Sequence, residues 1–301
     1  MPIVSPVEKV RTIRRAGLLA VSAVASGCML ATPSRAHVGA PPADLDAVSV
    51  AFASGSGSII HAWYARGSAH GGAVLLLHGV GANRTQMLGR ARFLHSLGFT
   101  VLAPDFQAHG ESSGDHITFG ARESLDAAAA LDFLHHTVPD ERVGVIGVSM
   151  GGAAALLGPG PLAANAFVLE SVYPTIRQAL GDRLDTWLGP LGGVARLFTP
   201  MVLNIVGNDI GVTETELQPI DRIARLNAPL LLISGTQDPY TPIVEAESLF
   251  AHARGPKTYW AVDGAGHEDL HAYDPDQYEL RVGEFLQATL RVTAGDSASR
   301  R

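Results

Sequence analysis

The sequence predicts an α/β domain built on a mostly parallel sheet with helices on both faces. Three observations carry that reading. Short apolar runs recur along the chain with helix-forming stretches between them, the alternation of repeated β-α-β units. The run Ala73–Leu77 is apolar at every position, as a strand buried on both faces is. Hydrophobic residues make up 47% of the 301 residues and charged residues 17%, enough to bury one large core.

Val48–Ala53 and Ile59–Ala65 alternate like an antiparallel pair around Ser54-Gly55-Ser56-Gly57. Ala73–Leu77 then runs into His78-Gly79. A helix over Gln86–Ser96 leads to Gly98, a residue suited to a C-terminal cap, and the strand Thr100–Ala103 follows. A second helix, Ala121–His136, precedes the strand Val143–Ile146. Phe167–Leu169, Leu230–Ile233 and Thr258–Val262 supply three more strands. The stretch 174–219 is too long for a plain connection between strands and reads as an insertion. The domain is expected over residues 48–292, with a polar tail at 293–301.

The N-terminus has its own logic. Lys9, Arg11, Arg14 and Arg15 form a basic block ahead of the apolar run Ala16–Gly27, the pattern of an export signal too short for a membrane span. The single cysteine, Cys28, follows Ala25-Ser26-Gly27. Small residues before a cysteine resemble a bacterial lipobox, with 1–27 as leader and Cys28 lipidated. Cleavage after Ser34-Arg35-Ala36 is the competing reading, with 1–36 removed, and an uncleaved anchor is the third. Residues 37–47 read as a linker. The expected location is outside the cytoplasm, in the periplasm or cell envelope or secreted, with membrane contact only through a lipid anchor.

Charge and cysteine content exclude several classes. The net charge is −7 and becomes −10 without residues 1–27, which is no footprint for nucleic acid. One cysteine rules out an intramolecular disulfide framework and a cysteine-rich metal site.

The sharpest site signal is Gly147-Val148-Ser149-Met150-Gly151, set between an apolar strand and the small-residue start Gly152-Ala153-Ala154-Ala155. A serine nucleophile needs a sharp strand-to-helix turn that lifts its hydroxyl over the sheet, and glycines on either side avoid collisions in that turn. With it come His78-Gly79-Val80-Gly81, Pro104-Asp105-Phe106-Gln107-Ala108-His109-Gly110-Glu111-Ser112, Gly235-Thr236-Gln237-Asp238 and Gly264-Ala265-Gly266-His267, each after a strand. In these motifs and their order the chain resembles the α/β-hydrolase superfamily from about Val48 to Gln287. It looks closest to the serine-hydrolase branch of esterases, acyl-thioesterases and aminopeptidase-like enzymes. Gln107-Ala108 departs from the Arg-Gly or similar pair of many relatives.

A serine hydroxyl needs a base, and the base needs a carboxylate to hold its tautomer. Ser149, Asp238 and His267 follow strand ends and stand in the chain order of this fold. Glu170 is the alternative acid and His271 the alternative base. The oxyanion hole is expected from the backbone N–H groups of Val80 and Met150. His78, and the cluster Asp105, His109 and Ser112, are expected to brace neighbouring loops. The resemblance implies that the insertion caps the nucleophile. Its apolar residues, Trp187, Leu188 and Phe198 among them, are expected to contact a small-molecule acyl substrate. The expected activity is hydrolysis of an ester, thioester or small amide through an acyl-enzyme. An acyltransferase using the same intermediate and a non-catalytic binding module remain the alternatives. No metal, nucleotide or redox cofactor is expected, because no phosphate-cradling loop with its lysine is present.

Overall fold

The computed structural model describes residues 30–291. Its strands are β1 (Ser34–Arg35), β2 (Ala47–Ala53), β3 (Ile59–Ala65), β4 (Ala73–Leu77), β5 (Thr100–Pro104), β6 (His109–Gly110), β7 (Val143–Val148), β8 (Ala166–Glu170), β9 (Leu230–Gly235) and β10 (Lys257–Val262). Eight form one sheet in the order β10-β9-β8-β7-β4-β5-β3-β2. Only the β2–β3 and β3–β5 pairings are antiparallel. The central strands β4, β5, β7, β8 and β9 are buried at every residue, which explains why their sequences are apolar runs rather than alternations.

The helices are α1 (Leu88–Ser96), α2 (Glu123–Thr137), α3 (Met150–Leu156), α4 (Ile176–Leu188), α5 (Gly192–Ala195), α6 (Thr199–Ile210), α7 (Pro219–Ile223), α8 (Ile243–His252), α9 (Leu270–Tyr273) and α10 (Pro275–Leu290). Successive side chains of a strand point to opposite faces, and β4 shows the result. Leu75 and Leu77 join the core under α2 and α3, whereas Val74 and Leu76 join the one under α1 and α10. Gly98 follows α1 at φ +89°, a left-handed conformation that ends the helix at no steric cost.

The insertion folds as α4, α5 and α6, joined by short 3-10 turns. Leu180, Leu184, Val202, Val206 and Ile210 face inward and are buried, while Leu191 and Leu197 face out. Gly189, at φ +51°, breaks the helical path after α4.

Residues 37–47 are not a free linker, contrary to the sequence expectation. Ser34–Arg35 pairs in parallel with His109–Gly110, ahead of that stretch. The N–H groups of Val38 and Gly39 donate to Glu111 Oε1 at 3.2 and 3.0 Å, and Trp63 Nε1 donates to the Gly39 carbonyl at 3.3 Å. The Gly39 amide and the Arg84 side chain that also holds Glu111, helped by the Arg84 charge and the Val38 amide, drive the Glu111 carboxyl down to about 2 against the opposing effect of burial. Ala31 and Leu45 are buried as well. Glu111 and Arg84 thus fasten the segment at a distance no local pattern reveals. The leader 1–27, Cys28 and the tail 293–301 lie outside the described residues.

A chain beginning at His37 loses the bonds from Ser34 N to Ala108 O, from Ala36 N to Gly110 O and from Ile117 N to Ala31 O. At about 1 kcal/mol each and about 2–4 °C per kcal/mol, it should melt about 6–12 °C below a chain beginning at Cys28. Equal melting temperatures by scanning calorimetry would show that the segment adds no stability.

Candidate active site

β7 ends at Val148, and the next residue turns sharply. Ser149 has φ +50° and ψ −113°, outside the comfortable regions for a residue with a side chain. Its N–H is held by the Glu170 carbonyl of β8 at 2.8 Å. The flanking glycines are required by space. A Cβ on Gly147 would lie 2.6 Å from Gly152 Cα, and one on Gly151 would lie 2.3 Å from the Leu77 carbonyl oxygen. Met150 opens α3, so its N–H is one of the donors that the helix itself leaves unsatisfied.

The loop after β4 lies next to this turn. The Val80 N–H has no hydrogen-bond partner among the described residues. Its neighbours are fixed: Gly79 N donates to Gln86 Oε1 at 2.8 Å, and Gly81 N donates to His109 Nε2 at 3.1 Å. His109 Nδ1 in turn donates to the Gln107 carbonyl at 2.8 Å. His78 is fully buried, donating from Nδ1 to Gly79 O at 2.8 Å and accepting the Phe106 N–H at 3.0 Å. Burial, reinforced by His109 and Arg84 and only partly opposed by the Gly79 carbonyl, drives His78 down to about 3. Burial also lowers His109, despite the Gln107 carbonyl and the Glu123 and Asp105 charges. Both rings are therefore neutral braces. Asp105 accepts Arg84 N at 2.7 Å and Glu111 N at 2.9 Å, and Ser112 Oγ donates to the Asp105 carbonyl at 2.7 Å.

Asp238 and His267 meet across the loops that follow β9 and β10. His267 Nδ1 donates to Asp238 Oδ2 at 2.8 Å, and among the described residues Nε2 has no hydrogen-bond partner. Asp238 also accepts the Tyr240 N–H at 2.8 Å, the Thr241 N–H at 2.9 Å and the Thr241 hydroxyl at 2.6 Å. Burial pushes the Asp238 carboxyl up. The His267 bond and charge and the Thr241 donors more than offset it, so the group sits below its ordinary value. Tyr240 packs edge-on against the His267 ring, with centroids 5.5 Å apart. Among the described residues no hydrogen bond joins Ser149 Oγ to His267, a contact that commonly forms only with substrate in place.

Glu170 and His271 have other partners. Arg90 is fully buried, and its Nε and Nη2 donate to the two Glu170 oxygens at 3.0 and 2.6 Å. Tyr278 donates its hydroxyl to Glu170, and Arg90 Nη1 makes an ion contact with Asp269 at 2.8 Å, outside hydrogen-bond alignment. His271 Nε2 lies 2.9 Å from Glu279 Oε1 and its ring packs beside Tyr278.

Ser149, Val80 and Met150 line one pocket under the insertion, with about 750 Å³ of empty space including its open mouth. Its far wall comes from Ile176 and Leu180 of α4 and Val202, Val206 and Ile210 of α6. Trp187, Leu188 and Phe198, expected to contact substrate, are not in that wall. Trp187 is 45% exposed, Leu188 packs against the core, and Phe198 sits in the turn between α5 and α6. The residues that sequence reasoning missed are Arg90, Tyr240 and Thr241, which contact Glu170, His267 and Asp238, and Arg183, which lines the pocket. For Arg90 a signal existed, since a carboxylate ending the apolar strand Phe167–Leu169 needs a buried partner. For Arg183 the signal is its position three residues after Leu180 on an apolar helix face.

The chain belongs to the alpha/beta hydrolase family, whose sequence profile matches residues 74–279. It is 27% identical over 223 residues to the uncharacterised protein YqkD of Bacillus subtilis, covering 71% of this chain and 70% of that one. It is 25% identical over 293 residues to the Mus musculus serine hydrolase BPHL, covering 86% and 95%. Among solved structures it resembles the Pyrococcus furiosus esterase Pf2001 with TM-score 0.68 at 25% identity, over 86% of this chain and 99% of that one.

Glu170→Gln should lower stability by about 3 kcal/mol, because breaking a buried pair leaves Arg90 undercompensated. The urea midpoint is expected to fall at unchanged slope. An unchanged midpoint would mean the cluster contributes nothing to folding.

Proposed function

We propose that this hydrolase cleaves carboxylic esters through an acyl-enzyme on Ser149, with thioesters and small amides open to the same chemistry. The observation that carries this reading is the Asp238–His267 pair, bonded at 2.8 Å with Nε2 unpartnered among the described residues, in a family fold whose strand-to-helix turn presents Ser149 to an apolar pocket. His267 Nε2 takes the Ser149 proton as Oγ attacks the carbonyl carbon, and Asp238 stabilises the imidazolium without taking a proton itself. The Met150 and Val80 N–H groups receive the developing oxyanion. His267 then returns the proton to the leaving alcohol, and water repeats the sequence to release the acid. The name of the mouse relative, a serine hydrolase, agrees with this reading.

We also propose that the protein is exported. The docking of Ala31 and Ser34–Arg35 onto the domain favours processing upstream, at Cys28, over a cut after Ala36.

A fluorophosphonate probe is expected to label the wild-type protein and not Ser149→Ala. That variant and His267→Ala should lose about 10⁶-fold in kcat, and Asp238→Asn about 10⁴-fold, in nitrophenyl ester assays. A folded protein that takes no label at Ser149 would instead be a binding module. An acyltransferase would show acyl transfer to an added alcohol outrunning hydrolysis.

The pH profile supplies a separate check. A depressed Asp238 contributes its charge at all pH above its ordinary carboxylate range and loses it only as pH falls through its lowered value. Along the acid limb a single proton then separates inactive from active enzyme, so log kcat/KM should rise with slope one. A slope of two would show that a second proton, on Asp238, is lost in the same limb, against this assignment.

A further inference from the structure

The pocket lining is mostly apolar, and Glu214 and Arg183 are the charged residues in it. Glu214 is neutralised by Arg177, whose Nε and Nη2 donate to its two oxygens at 2.6 and 2.7 Å. Arg183 has no such partner among the described residues. α4 turns Ile176, Ala179, Leu180 and Arg183 toward the pocket, positions three and four apart that share one helical face. The Arg183 guanidinium donates from Nη1 to the Ala179 carbonyl at 3.0 Å and lies over the Tyr240 ring at 5.2 Å. Among the described residues no carboxylate pairs with it, whereas Arg177 and Arg196 of the same insertion are both paired.

Such a cation is costly to keep. Burial pulls the Arg183 pKa down, and the Tyr173 and Tyr240 hydroxyls with the Asp238 and Asp182 carboxyls offset this only in part. Arginine nevertheless stays protonated in proteins, so the pocket wall holds a partly desolvated positive charge with donors to spare. Its planar fork matches an oxyanion better than any neutral group. The position adds a constraint. Tyr240 touches Arg183 on one side and His267 on another, so the charge lies beside the acid–base pair.

We propose that Arg183 recognises an oxyanion carried by the substrate near its scissile bond, so that anionic esters are preferred over neutral ones of the same length. The proposal rests on the esterase reading of the site for its substrate class, while the anion site itself is a binding property. If Arg183 served only to pack on Tyr240 or to steady Asp238, its loss would affect neutral and anionic compounds alike.

Two arms test it. In the binding arm, hexanoate and hexanamide are titrated by calorimetry into wild-type protein, Arg183→Gln and Arg183→Lys near neutral pH. Hexanoate should bind the wild type about 10–100-fold tighter than hexanamide, the range of a charge-assisted pair. The preference should vanish in Arg183→Gln and return in part in Arg183→Lys, which keeps the charge without the fork. In the turnover arm, nitrophenyl hemisuccinate, hemiglutarate and hemiadipate are compared with the nitrophenyl esters of butyrate, valerate and hexanoate. The ratio of anionic to neutral kcat/KM at the best length should fall about 10–100-fold in Arg183→Gln. Both readouts are ratios within one preparation, so partial misfolding of a variant leaves them intact. Equal binding of hexanoate and hexanamide by the wild type, or a preference that survives in Arg183→Gln, overturns the proposal. An Arg183-dependent preference without turnover of any ester upholds the anion site and refutes the esterase reading alone.

Discussion

A single buried cation ties the two halves of the candidate site together. Arg90 reaches from α1 to Glu170 at the end of β8, to Tyr278 in α10 and to Asp269 at the start of α9. A guanidinium withdrawn from water is tolerable only when it is paired and hydrogen-bonded, so these partners cannot drift independently. The Glu170 backbone holds the Ser149 N–H, and Asp269 follows His267 by two residues. The strand beside the serine turn and the loop that carries the histidine therefore share one anchor at the C-terminal ends of the strands.

Electrostatic environment then divides the labour among side chains of the same type. His78 and His109 are buried, depressed and engaged through both ring nitrogens, and they hold the loop after β4. His267 is partly open and has one nitrogen committed to Asp238. Among the carboxylates, Glu170 answers a structural cation while Asp238 faces an imidazole. Position at a strand end alone does not distinguish these roles; the partner across the gap does.

Much of this was readable from the chain. β4 was legible because a strand covered on both faces is apolar throughout, and the turn at Ser149 because its glycine requirement is local. The Asp238–His267 juxtaposition followed from two strand ends brought side by side in one sheet. What stayed hidden depended on distant residues. Trp187 and Leu188 stand a turn beyond Arg183, the last α4 residue in the pocket lining, whereas Phe198 lies past the breaks at Gly189-Pro190 and Gly192-Gly193 that reset the helical phase, and Val202, Val206 and Ile210 face inward instead. Residues 37–47 look like a linker by composition, yet Glu111, about seventy positions away, pins their backbone.

The strained turn at Ser149 also bears on how this protein could change under selection. A positive φ penalises every residue with a side chain and spares glycine. The backbone at position 149 thus favours glycine, which has no hydroxyl, so with Ser149 as the proposed nucleophile heat resistance and reactivity pull in opposite directions there. A library screened only for survival at high temperature would tend to drift toward glycine at this position, and would keep the serine only where turnover is selected in the same round.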